Sequence, residues 1–378
     1  MTDNHSSNLI RLHKMDVLRG IAITAVFVLH CYMAYLNDHL EVKIEKGDFF
    51  VNLIGKDWLA IFLTITPFGY GWTGVQLFLI ISGYLIHLSF LKSKTEKYDF
   101  KKFYIRRFFR IYPPYLVVLL FLAFQYNREV LKNANQFWDF VSHLTMTYNL
   151  QDATFFSFNG AFWSLALEVQ LYLIYPLFLW FRTKLGIRKT IFLLLTTYIL
   201  FTLIFNFTYT PNFYFALQNL VFKSWIIWGL GAFLAEIHWQ SKRLFRVSGW
   251  AIIGLLLLVS WVKATAITLA INDLIWASFF IVFIDYYLFS SKNGLNLFEK
   301  MLSKIGEVSY SMYLIHLPII TALIGSITYM GISKTRSFAH IFDGFIIFII
   351  AYVFSKGLYH FLEKPSIELG KRVISKME

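Results

Sequence analysis

Ten long apolar runs alternate with short charged connections along this chain. They lie near residues 16–36, 71–91, 111–127, 162–181, 189–208, 215–238, 248–265, 268–290, 305–325 and 340–362. Each is about long enough to carry a helix across ~30 Å of hydrocarbon. The pattern predicts an all-α polytopic membrane protein of about ten transmembrane helices. The runs fill most of residues 1–378, which reads as a single transmembrane domain with no room for a soluble one. No internal repeat or low-complexity linker interrupts it. The first run lacks a small-residue cleavage site and is long enough to span, so it reads as an uncleaved anchor. Two segments fall outside the ten. Residues 57–70 are apolar but hold Pro67 and Gly69, which suits an interfacial or re-entrant stretch. Residues 137–150 suit a short interfacial helix.

Composition agrees. Hydrophobic residues make up 57% of the chain and charged residues 15%, against about 25% charged in a soluble domain. Aromatic residues reach 20%, as lipid-facing surfaces and interfacial belts require. The net charge of +13 would suggest nucleic acid in a soluble protein, but here its placement argues for topology. Alternate connections carry 24 Lys and Arg on one side and 8 on the other. The positive-inside rule therefore puts both termini in the cytoplasm, with residues 1–14 a short N-terminal segment and 364–378 a tail. The same rule places Arg19 in the inner part of the first helix and His30 in its outer half. Nucleic acid is not an expected partner; the lipid bilayer is. The one cysteine, Cys31, excludes a disulfide within the chain and a cysteine-built zinc site. No HExxH, Walker loop or post-strand GxGxxG is present, so no metal or nucleotide-hydrolysis chemistry is expected.

Arg19 and His30 stand eleven residues apart. Eleven steps of ~100° return to nearly the same stripe of a helix, about 16 Å further along it. Ionisable residues inside a membrane helix are costly and mark functional sites. The connection 92–110 holds eight basic residues, with Arg107 and Arg110 three apart on one helix face. Paired guanidinium forks match phosphate oxygens, although positive-inside charge alone also accounts for them. Glu168 enters from the outside about two turns into its helix, at the depth of His30. A carboxylate there can orient an imidazole. Tyr313 and His316 share a face of the ninth helix, and His316 reaches similar depth. Cys31 points away from its neighbour His30 and does not suit a nucleophile. Asp16 reads as a helix-terminal charge offsetting local cations, and Asp285 as a solvated carboxylate near the cytoplasmic end of the eighth helix.

Six ordered landmarks together resemble the acyltransferase-3 family of integral membrane acyltransferases, from Met15 to Lys371. They are Met15-Asp16-Val17-Leu18-Arg19-Gly20 closing on His30; Gly74-Val75-Gln76 through Ser82-Gly83-Tyr84-Leu85; Arg107-x-x-Arg110 before Tyr112-Pro113; Trp163-Ser164-Leu165 with Glu168, Tyr172 and Pro176; Gly306, Ser309-Tyr310, Tyr313-Leu314, His316 and Pro318; and Glu363-Lys364-Pro365. Many relatives carry Asp where this chain has Gln76, so a carboxylate role there is missing. Many also append an extracytoplasmic SGNH hydrolase-like domain, which this sequence, ending at Glu378, is expected to lack.

The resemblance implies transfer of an acyl group, commonly acetyl, from cytoplasmic acyl-coenzyme A to a hydroxyl of an extracytoplasmic or membrane-linked carbohydrate. It implies His30 as the essential histidine with Arg19 as its signature partner, and Arg107 and Arg110 as ligands of coenzyme A phosphates. On this reading Glu168 orients or charges the His30 ring, while Tyr313, His316 and Ser164 hold the acceptor or support the transition state. His30 then acts as general base or as a transient acyl carrier. Acetyl-coenzyme A is a cosubstrate; no permanently bound cofactor or metal is expected. The place of action is the inner or plasma membrane of a bacterium, as a homo-oligomer or with a separate extracytoplasmic partner. A polytopic saccharide exporter using intramembrane His and Glu is the competing reading, weakened by the missing inverted repeat.

Overall fold

The computed structural model describes residues 2–37, 70–93, 98–126, 134–207, 214–260, 266–289, 294–329 and 339–377, and among these every regular element is a helix. Most of the segment 57–70 and of the connections 37–58 and 326–339 lies outside the described residues. The helices are α1 (Thr2–Asn37), α2 (Thr73–Lys92), α3 (Phe100–Tyr126), α4 (Ala134–Leu144), α5 (Asp152–Phe155), α6 (Trp163–Leu173), α7 (Tyr175–Leu185), α8 (Ile187–Phe207) and α9 (Tyr214–Gln218). They continue with α10 (Val221–Trp239), α11 (Gly249–Ser260), α12 (Ala266–Phe289), α13 (Leu297–Glu307), α14 (Ser309–Tyr329), α15 (Ala339–Leu358) and α16 (Lys364–Ser375), the last two joined by a π-helical turn, Tyr359–Glu363. Short 3₁₀ geometry over Tyr148–Leu150 follows α4, and the two cover the short helix expected over residues 137–150.

Among the described residues, six helical stretches are long and apolar enough to cross a membrane, and eight if each of two broken pairs counts as one span. The remaining two of the ten expected runs are α1 and the shorter apolar α11. Large apolar side chains such as Phe121, Phe124, Phe192, Phe345 and Phe354 are exposed, as a lipid-facing surface demands. Three boundaries differ from expectation. The chain enters α3 at Phe100, so the basic run 100–110 is helix and not connection. The fourth run breaks at Ile174 into α6 and α7, bent by 47°. The ninth breaks at Val308 into α13 and α14.

Two compact units emerge, each assembled from separated stretches. The first comprises residues 1–91, 227–309 and 320–348; the second comprises 92–226, 310–319 and 349–378. In the first unit glycines let helix backbones touch. Gly20 of α1 meets the Leu302 carbonyl of α13, and Gly306 of α13 meets the Asp16 carbonyl of α1; a Cβ at either would overlap backbone. Gly83 of α2 and Gly231 of α10 form a second reciprocal pair against the carbonyls of Trp228 and Ile80. Small residues at crossings are how membrane helices gain close packing where no hydrophobic drive exists.

The second unit shows what its prolines cost and how the cost is met. A proline inside a helix leaves the carbonyl four residues earlier without its donor. In apolar surroundings that carbonyl must find another partner. Pro113 frees the Phe109 carbonyl, and Ser366 Oγ of α16 donates to it. Pro176 lies in the first turn of α7, and the Tyr172 carbonyl just before the break takes the Ile174 N–H and is approached by Tyr104 Oη of α3 at 3.4 Å. Pro318 frees the Leu314 carbonyl, and Asn159 Nδ2 donates to it at 3.0 Å. Asn159 also accepts from the Ala161 N–H at 3.0 Å through Oδ1. It therefore fixes the entry to α6 as well as mending α14. Asn159→Leu leaves the buried Leu314 carbonyl unpaired and should cost about 1–3 kcal/mol. A lowered thermal midpoint of the detergent-solubilised protein would register this.

Candidate active site

In the first unit α1 runs unbroken through both signature residues, so the predicted stripe holds. Arg19 is ion-paired with Asp16 one turn earlier, Nη1 to Oδ1 at 3.0 Å. Asp16 thus offsets a local cation as expected, but it lies within α1 and not at a helix end, because the helix begins well before the apolar run. His30 is half-buried in the outer half of the predicted span. Its ring donates to the Val26 carbonyl one turn back. That bond puts the proton on one ring nitrogen and leaves a lone pair on the other in the neutral form. The imidazole is thereby set up to accept a proton or attack a carbonyl carbon.

In the second unit α3, α6 and α14 bring together most of the other candidates. Tyr313 Oη donates to the Ala161 carbonyl. Ser164 Oγ lies 2.7 Å from Tyr313 Oη, and since the tyrosine proton is committed to Ala161, the serine hydroxyl is the donor in this pair. Glu168, one turn after Ser164, accepts from Tyr172 Oη. It also stands within electrostatic reach of Tyr310 and Tyr313. His316 is fully buried. Its Nδ1 donates to the Tyr313 carbonyl at 2.8 Å, which places the lone pair on Nε2. Its ring lies 5.7 Å from that of Tyr313.

The two arginines differ in their surroundings. The Arg107 guanidinium sits over the rings of Phe103 and Tyr172, 5.6 and 5.4 Å from their centroids. Arg110 faces Tyr310, where the carboxylates of Glu363 and Glu168 also act. Arg107 is therefore coupled to Glu168 through Tyr172: the cation rests on the ring whose hydroxyl holds the carboxylate.

Several polar residues of the structure are not singled out by the sequence pattern. Tyr172 and Tyr310 lay within the landmarks but carried no role, because their partners are on other helices. Glu363, on the π-helical turn, is buried and accepts from Ser311 Oγ at 2.6 Å. Asp285 was expected to be solvated and is not. It is fully buried, takes His238 Nε2 at 2.8 Å and accepts from the N–H groups of Leu244 and Phe245. The connection after α10 folds back over the end of α12 and encloses the carboxylate, which a hydropathy pattern does not reveal. His238 Nδ1 in turn meets Tyr84 Oη at 3.1 Å, and beside it His87 pairs with Glu236 at 2.9 Å. The signal available for these was the presence of His and Glu within apolar runs. Gln76 donates its amide to Asp273, so this position faces a carboxylate from α12. Among the described residues no group of three or more His, Cys, Asp or Glu stands together as metal ligands.

Comparison with known proteins gives one match to a family profile, described as an acyltransferase domain of the acyltransferase-3 type, over residues 12–359. Curated relatives include the regulator of hypoxia-inducible factor 1 of Caenorhabditis elegans, 29% identical over 45% of this chain and 34% of its own length. Peptidoglycan O-acetyltransferase OatA of Listeria monocytogenes is 30% identical over 44% of this chain and 24% of its own length. A putative acetyltransferase, ORF330, of Acidianus two-tailed virus is 31% identical over 32% of this chain and 34% of its own. The chain spans about a third or less of the length of these relatives. No solved structure matches it.

Proposed function

This chain belongs to the acyltransferase-3 family, and from that premise we propose that it moves an acetyl group from acetyl-coenzyme A to a hydroxyl of an extracytoplasmic or membrane-linked carbohydrate. The observation that carries the reading is the extent of the family match, residues 12–359, which includes every candidate residue from Arg19 to His316. The O-acetyltransferase name of the Listeria relative supports the acetyl ester. The charge asymmetry of the connections supports a cytoplasmic donor.

The chemistry required is modest. A thioester carbon is attacked by an acceptor oxygen, the C–S bond breaks, and the hydroxyl proton ends on the departing thiolate. His30 has the orientation to carry that proton, or to take the acetyl group first and pass it on. Arg110 and Arg107 supply the positive charge that the donor's phosphates need. Ser164 and Tyr313 spend their protons on each other and on the Ala161 carbonyl, so holding the acceptor or a developing oxyanion would require one of those bonds to be exchanged. Tyr172 acts on Glu168 through one hydrogen bond. Tyr172→Phe keeps the ring under Arg107 and removes the bond to Glu168. It should lower kcat about three- to tenfold and leave KM for acetyl-coenzyme A unchanged, as steady-state kinetics would register.

The direct test is release of coenzyme A thiol by the purified, detergent-solubilised protein. Thiol release dependent on a saccharide acceptor supports the reading, and an acetyl-coenzyme A supply left untouched refutes it. Rapid quenching with labelled donor and no acceptor separates the two roles of His30, since only the covalent route leaves label on protein.

A further inference from the structure

One buried polar group of the second unit lies outside the site described above. His143, in the last turn of α4, is fully buried. Its Nδ1 faces two oxygens of Asp139 one turn earlier, the backbone carbonyl at 3.0 Å and Oδ1 at 3.3 Å. Both are acceptors, so the proton sits on Nδ1 and Nε2 of the neutral ring carries the lone pair. Asp139 is itself held by Ser157, whose Oγ donates to Oδ1 at 2.8 Å. The ring is clamped as well. It stacks on Tyr148, with centroids 4.0 Å apart and planes 4° from parallel, and Phe158 meets it at 4.8 Å.

Nε2 is buried and makes no hydrogen bond. A buried acceptor in that condition costs about 1–3 kcal/mol, and such exceptions call for an explanation. The backbone around it is strained too. Met146 and Phe158, with φ of 58° and 57°, are two of three non-glycine residues at positive φ among the described residues. The Met146 N–H donates to the His143 carbonyl at 3.2 Å, and Phe158 supplies the ring against it. Strain of this kind gathers at ligand clamps.

The electrostatics select the ligand. A lone pair oriented by a carboxylate repels phosphates and carboxylates and accepts from a neutral O–H. The segment 128–161 holds only two basic residues, against eight in 92–110, which places it on the extracytoplasmic side where the acceptor resides. We propose that His143 Nε2 accepts a hydrogen bond from a hydroxyl of the acceptor saccharide, with Asp139 as the positioning residue that fixes the ring. The proposal rests on the acetyltransferase reading and adds an acceptor site to it.

The test uses the full chain with acetyl-coenzyme A and three probe oligosaccharides: chitotetraose, maltotetraose and cellotetraose. His143→Phe keeps the stack on Tyr148 and removes the acceptor nitrogen. It should raise KM for the saccharide by about tenfold or more, with KM for acetyl-coenzyme A and acceptor-free thiol release within about twofold of wild type. His143→Gln, whose side-chain oxygen reaches near the Nε2 position, should recover part of the lost affinity. A packing role predicts the opposite order, with Phe better tolerated than Gln. Should His143→Phe not fold, Asp139→Asn decides, with an expected rise of about threefold in saccharide KM. An unchanged saccharide KM in the folded variant, or Gln ranking below Phe, overturns the site alone. A wild type that acetylates none of the three saccharides overturns the acetyltransferase reading, and this site with it.

Discussion

Replacing His30 with alanine lowers the rate of acyl transfer by about 10²–10⁴-fold and leaves the protein folded. The size of the effect follows from what the imidazole would do. Removing a positioned general base typically costs that much, and removing a nucleophile costs at least as much. The intact fold follows from where the ring sits. His30 is half-buried and hydrogen-bonds within its own helix, to the Val26 carbonyl. The Val26 carbonyl that loses the ring keeps its place in the α1 ladder. The rate is read from thiol release at saturating acetyl-coenzyme A. Folding is read from the thermal midpoint and the elution volume of the same preparation. A variant with wild-type rate removes His30 from the chemistry; a variant that fails to fold moves it to the structural side.

The second large effect concerns donor binding. Arg107→Ala together with Arg110→Ala should raise KM for acetyl-coenzyme A by about 10²–10⁴-fold, since each charge-assisted phosphate contact is worth about 1.5–3 kcal/mol. KM for the acceptor should move far less. The single variants should not behave alike. Arg110 shares the surroundings of Tyr310 with the Glu363 and Glu168 carboxylates, so Arg110→Ala should act mainly on KM, with a smaller kcat loss than Arg107→Ala. Arg107 rests on the ring of Tyr172, whose hydroxyl holds Glu168. Arg107→Ala should therefore lower kcat as well as raise KM, and its kcat loss should shrink in a Tyr172→Phe background. Equal effects of the double variant on donor and acceptor would reduce the pair to topological charge.

The helical runs were legible because twenty-residue apolar stretches leave a membrane protein few alternatives. Their breaks were only half legible. Pro113 and Pro318 stand inside apolar runs, but the sequence does not say that Ser366 and Asn159 serve the carbonyls they free, or that Tyr104 approaches the Tyr172 carbonyl at the break before Pro176. Those partners lie 68 to 257 residues away. The start of α3 was set too late because Lys101, Lys102, Arg106 and Arg107 read as connection, whereas aromatic residues between them give that helix a face to pack. Ser164, Glu168 and Tyr313 were picked out singly; that Ser164 and Tyr313 touch is a tertiary fact. The error at Asp285 has a similar cause. A carboxylate near a helix end reads as solvated until the next connection, Leu244 and Phe245, is seen to close over it.

The most direct trial is transfer across a reconstituted membrane. The protein is placed in sealed vesicles with acetyl-labelled coenzyme A on the side of the chain termini and the oligosaccharide probes on the other. The expected result is label in an ester on the saccharide, with one equivalent of free thiol on the donor side, both lost in His30→Ala. Passage of unmodified saccharide across the bilayer with no thiol released would contradict it and leave a transporter in its place.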